Sequence, residues 1–158
     1  MEQIKIKKVI IDMLAQGYSV TIAAGGVSMV PFLWPGTSLR VVPCSPSSLV
    51  VGDVALFDRP GDILIAHRVV GSSDEALLFR GDSCLLPDGN VIHQLVVGKV
   101  VAASWGPVSY SVDGFCARSY RWFLFHLSPL SYLFNHALAW IWAKCIRLRS
   151  RIINYLRR

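Results

Sequence analysis

The chain of 158 residues offers little to a metal ion or a phosphate group. Its four cysteines (Cys44, Cys84, Cys116 and Cys145) form no CxxC pair and share no zinc-like spacing with its four histidines. A structural zinc site is thereby excluded, and no metal is expected; free, half-buried thiols are the expectation, with one disulfide left open. No glycine-rich phosphate loop occurs, so no nucleotide or other cofactor is expected. The apolar stretch within MEQIKIKKVIIDMLA is only a few residues long and is interrupted by Asp12, so neither a secretory leader nor an N-terminal membrane anchor is expected. Charge is scarce, at 16% of residues against 53% hydrophobic, and the mean hydropathy is +0.47. That value is high for a soluble domain and points to contact with lipid.

The charge that is present is unevenly spread. All ten acidic residues precede Lys144, and so do ten of the sixteen basic ones, which leaves the body neutral. The net charge of +6 therefore sits at the end of the chain, as Lys144, Arg147, Arg149, Arg151, Arg157 and Arg158. Ahead of them, Trp122 to Ala143 contains no Lys, Arg, Asp or Glu. Length alone would suit a membrane span, but Ser128-Pro129, His126, Asn135 and His136 interrupt it. Beyond Pro129, residues such as Leu133, Phe134, Ala137, Leu138, Ile141, Trp142, Cys145 and Ile146 recur every three or four positions, opposite a basic face. An arginine-rich amphipathic helix of this kind lies in a bilayer interface, where anionic headgroups add about 1 kcal/mol per basic residue. The alternative is a helix packed on the rest of the chain or on a partner protein. No basic residues interleave with the aromatic ones, so a nucleic-acid stacking surface is not expected.

Before that tail the hydrophobic period changes. Gln3 to Gln16 spaces Ile6, Val9, Ile10, Met13 and Leu14 as a short amphipathic helix, ended by Gly17. From Tyr18 to about Val101, runs rich in Val, Ile and Leu (SVTIAA, SLRVVP, DVALFD, LIAHRVV, ALLFRG, VVGKVVA) alternate with Gly, Pro and Asp breakers. Short strands at close spacing predict a mainly β fold, a compact antiparallel barrel-like domain. The expected organisation is an N-terminal helix over 1–17, a β-domain over 18–105, and a C-terminal amphipathic, membrane-surface region over 106–158.

The chemistry concentrates in Gly25-Gly26-Val27-Ser28-Met29-Val30-Pro31. A serine after two glycines at a strand end exposes its hydroxyl and leaves neighbouring amides free to hold an oxyanion, although most such serines are turn residues. An ordinary hydroxyl also needs a base, and His67, which interrupts the β-branched run Ile65-Ala66-His67-Arg68-Val69-Val70, is the candidate.

Together these segments resemble the signal peptidase and LexA-type repressor superfamily of serine peptidases. Gly26-x-Ser28-Met29-x-Pro31-x-Leu33 is similar to its nucleophile box, and Val51-Gly52-Asp53-Val54-Ala55-Leu56-Phe57 to the strand that follows. Ala66-His67-Arg68-Val69-Val70 resembles the box of the general base, Arg80-Gly81-Asp82-Ser83 with Pro87-Asp88 the downstream Gly-Asp box, and Val97-Gly98-Lys99-Val100-Val101 the closing strand. Five boxes in order cover about residues 17 to 103. Most bacterial members place lysine at the base position; the histidine here resembles the archaeal and endoplasmic-reticulum subtype. The resemblance implies Ser28 as nucleophile and His67 as general base, with Asp88 orienting His67 and Asp82 its rival for that role. Asp53 reads as a structural turn residue.

Two departures stand out. Gly26 replaces a serine that assists the oxyanion in many signal peptidases, and the N-terminal membrane anchor and apolar loops of ordinary members are not expected here. The resemblance thus implies a compact serine endopeptidase acting in trans on a leader or signal-like peptide of a precursor protein, peripheral to a membrane with the cytoplasmic face favoured. A catalytically inactive membrane or protein adaptor of the same fold is the main alternative. A self-cleaving regulator is the other, but the residues before the β-domain are too few for a helix-turn-helix unit.

Overall fold

The structure is a computed structural model that describes residues 2–112 apart from residues 60 and 62. It is a mainly β architecture: one curved, half-barrel antiparallel sheet with a short N-terminal helix. The helix α1 runs over Glu2–Ala15. The strands are β1 (Val20–Ala23), β2 (Ser38–Val42), β3 (Val54–Arg59), β4 (Ile63–Ser72), β5 (Ala76–Arg80), β6 (Asn90–Ile92), β7 (Val96–Trp105) and β8 (Val108–Ser111). The sheet order is β1-β2-β7-β3-β4-β5-β6, with β8 added beside β7.

Six of these strands coincide with the valine-rich runs of the sequence. The other two carry no such signal. Asn90–Ile92 is too short to show alternation, and Val-Ser-Tyr-Ser at 108–111 is too polar, so only pairing with β5 and with β7 makes them strands. The sheet accordingly continues past Trp105, where Gly106 and Pro107 turn the chain back onto β7. The expected C-terminal amphipathic helix lies outside the described residues. No helix among the described residues is long and apolar enough to cross a membrane.

β3 organises the interior because it lies between β4 and β7 and has both faces covered. Side chains alternate along a strand. Val54 and Leu56 therefore join Leu14, Met29, Leu33, Leu39, Val41 and Val100 in one cluster. Ala55 and Phe57 join Val69, Leu77 and Phe79 in another. Burying each large aliphatic or aromatic side chain is worth about 1.5–3 kcal/mol, and the Phe57 and Phe79 rings stack at 4.6 Å between centroids. Leu14, 3% exposed, ties α1 to the first cluster, and Lys7 Nζ meets Asp58 Oδ1 at 2.7 Å. Where β2 crosses β7 the register shifts, and a Cβ at Gly98 would stand 2.8 Å from Val41 Cγ1 and from the Val42 carbonyl oxygen. The strands approach that closely only over a glycine.

Candidate active site

Ser28 opens the turn that follows β1, half-buried between the exposed Val27 and the buried Met29. Apolar anchors fix this turn from below: Met29 and Leu33 are 4% and 1% exposed, and the Leu33 N–H donates to the Met29 carbonyl at 2.8 Å. His67 lies midway along β4, opposite Ala55 of β3, with its ring against Phe57. Across 39 positions of sequence, His67 Nε2 meets Ser28 Oγ at 2.7 Å. Its other nitrogen, Nδ1, meets Asp88 Oδ2 at 2.5 Å.

Asp88 reaches this place because the loop after β5 folds back on itself. The Asp88 N–H donates to the Phe79 carbonyl at 2.8 Å, and Phe79 faces Val69 of β4 across the ladder. The structure thus brings Ser28, His67 and Asp88 into one hydrogen-bonded line. It does not bring Asp82 to His67. Asp82 takes the neighbouring Arg68, accepting Nε–H and Nη2–H donations at 2.7 Å each. Arg68 also donates from Nη1 to the Gly52 carbonyl at 2.8 Å, and its guanidinium lies 4.8 Å from the Phe32 ring centroid. Asp53 caps its own turn, accepting the Val50 N–H at 3.0 Å, and pairs with Lys99.

Beside the line lies a cavity of about 440 Å³. Its walls are Ile22, Ala23 and Ala24 on one side and Leu64, Ile65 and Ala66 on the other. Ser28 and His67 stand within it, and Met29, Leu33, Leu39 and Leu56 contribute apolar lining. Gly26 lines the same cavity; a Cβ there would lie 3.9 Å from Ser28 Oγ and 4.0 Å from Ser28 N, in ordinary contact. A Cβ at position 26 would therefore fit beside the nucleophile, and this chain supplies none. Pro31 faces elsewhere, lining an aromatic hollow of about 330 Å³ with Phe32, Trp34, Trp105, Val108 and Tyr110.

Three residues near the site had no role in the sequence reading. Arg68 is one. A cation inside a β-branched run requires a buried carboxylate, and that requirement was the signal available for it. Arg59, at the end of β3, places Nη1 3.7 Å from Asp88 Oδ1 and is half exposed. Ser83 bonds the nucleophile turn; the Gly-Asp box contains it without giving it a role. Cys84 and Cys44 are half-buried free thiols. Burial pushes the Cys84 thiol above its ordinary pKa, and the charge of Asp88 adds to the shift, so it stays protonated near neutrality. Cys116 and Cys145 lie outside the described residues. Among the described residues no group of three or more His, Cys, Asp or Glu side chains is placed to hold a metal.

No protein-family profile, curated protein or solved structure matches this chain.

Proposed function

We propose that the chain is a serine endopeptidase of signal-peptidase type that cleaves a leader or signal-like peptide in another protein. The observation carrying this reading is the line from Ser28 Oγ through His67 to Asp88, with contacts of 2.7 and 2.5 Å, at the side of an apolar cleft. In such a line the serine hydroxyl attacks a peptide carbonyl carbon while Nε2 takes its proton. His67 then protonates the departing amine as the C–N bond breaks, and water attacks the acyl-enzyme by the same base. Asp88 keeps the Nδ1 proton on its side and stabilises the imidazolium that forms. The Ser28 N–H is one oxyanion donor; Gly26 has no side chain to add another.

The cleft also supports an extended substrate. Among the described residues, β1 has β2 as its sole strand partner and β4 from Ile63 to Ala66 pairs with β3 alone, because β5 joins β4 at Arg68. Two strand edges thus border the cavity beside Ser28, where a peptide can add as a strand. The aliphatic lining favours neutral side chains before the cleaved bond. The basic amphipathic pattern near the end of the chain supports peripheral attachment to a membrane surface, with the cytoplasmic face favoured.

The test is covalent labelling by a fluorophosphonate, followed by intact mass and peptide mapping. The folded chain takes one adduct at Ser28. Ser28→Ala and His67→Ala each abolish both the adduct and precursor cleavage, a loss on the order of 10⁶-fold in turnover, with unchanged circular dichroism. A folded wild-type chain that never labels would leave the non-catalytic adaptor.

A further inference from the structure

Ser28 and His67 belong to segments 39 positions apart in sequence, yet their functional atoms lie 2.7 Å apart. Bonded to the turn of one and to the strand of the other is the tripeptide Gly81-Asp82-Ser83. The Ser83 N–H donates to the Ser28 carbonyl at 2.8 Å. The Ser83 hydroxyl donates to the Val30 carbonyl at 2.6 Å, with the Val27 carbonyl at 3.0 Å as its second acceptor. Ser83 therefore grips the turn at the residue before the nucleophile, at the nucleophile itself and two residues beyond. Within the turn, the Val30 N–H reaches the Val27 carbonyl at only 3.2 Å, a weak closure.

The other two residues of the tripeptide explain why the grip sets the distance to His67. A Cβ at Gly81 would lie 2.6 Å from the Ser28 carbonyl oxygen and 3.0 Å from Ser28 Cβ, so the loop approaches the nucleophile as closely as backbone can. Asp82 is fixed from the opposite direction, by two 2.7 Å bonds to Arg68, the residue that follows His67 on β4. One buried end holds the base strand and the other holds the nucleophile turn.

We propose that Ser83 is a positioning residue, whose hydroxyl holds the Ser28 turn so that Oγ stays within reach of His67 Nε2. The effect on rate rests on the peptidase reading; the effect on geometry does not. Loss of the hydroxyl leaves the Val30 carbonyl without this donor and lets the turn drift. A displacement near 1 Å at a reacting atom costs about 100-fold.

The experiment uses the full chain as wild type, Ser83→Ala, Ser83→Thr and Ser28→Ala, with two readouts. The first is the rate of fluorophosphonate labelling. The second is the NMR signal of the His67 ring Cε1–H, which senses whether a hydroxyl meets Nε2. In Ser83→Ala, labelling slows by tenfold to about 100-fold, and the His67 signal moves toward its position in Ser28→Ala. In Ser83→Thr, which keeps the hydroxyl, both return to near wild type. Wild-type labelling and an unmoved His67 signal in Ser83→Ala would overturn the proposal, as would equal damage in Ser83→Thr, which would make loop packing the cause. A wild type that fails to label, combined with a His67 signal that moves in Ser83→Ala, would sink the peptidase reading while upholding the positioning role.

Discussion

His67 and Arg68 are consecutive residues of β4, and each takes an aspartate from the same loop, yet the two pairs differ in almost every physical respect. Strand geometry sends the two side chains to opposite faces. Arg68 and Asp82 meet where both side chains are nearly sealed, at 4% and 2% exposure, with two parallel bonds and a third to a backbone carbonyl. His67 and Asp88 are joined by a single bond beside an open cleft, with Asp88 at 14% exposure and the Arg59 guanidinium, at 3.7 Å, on its other oxygen. The sealed pair is turned inward, each partner spent on holding the other and the Gly52 carbonyl, and it serves structure. The open pair leaves His67 Nε2 directed at a hydroxyl, and there it can move a proton. One loop thus supplies a rivet and, in the proposed site, the candidate orienting group, six residues apart.

Substitutions break this comparison in graded steps. Asp88→Asn preserves shape but removes the carboxylate that fixes the imidazole tautomer, so labelling and cleavage by the folded variant should fall about 10⁴-fold with little change in melting temperature. A near-wild-type rate there would show that Asp88 does not orient His67. Asp82→Ala and Arg68→Ala should act first on stability. Each strands a buried charge and destabilises by about 3–5 kcal/mol, measured by urea unfolding, and Asp82→Ala also frees the loop that grips Ser28. Replacing both partners together by apolar residues of similar volume should recover most of that stability; failure to do so would mean that the pair does more than satisfy itself. The smallest effect belongs to Arg59→Gln. An exposed ion pair at 3.7 Å contributes about 0.2–1 kcal/mol, so labelling should slow no more than about fivefold, and less at high salt. A larger loss would promote Arg59 from a rim charge to part of the site.

Much of the β-domain is readable from residues alone. The runs around Val20, Leu39, Leu56, Val69, Leu77 and Val100 all became strands, because β-branched and aliphatic side chains at period two need a pleated surface to bury them. Gly17 ends α1 as its position predicts. The polar hairpin strand β8 and the three-residue β6 stayed hidden because their strand character comes from partners already in place. In the site, the candidate nucleophile and base could be picked out, whereas the two aspartates remained rivals. Both follow β5 at short range, and no local pattern states which one turns back.

The sequence by itself determined the inventory: which side chains are the candidates for nucleophile, base and orienting acid, and in what order along a mainly β chain they come. Tertiary structure decided the pairing. The register of β4 on β5 sets Arg68 opposite Arg80, which brings Asp82 to Arg68. The bond from Asp88 N–H to the Phe79 carbonyl then returns Asp88 to His67. Such choices depend on distances between segments 14 to 39 residues apart, and only closure of the sheet defines those distances.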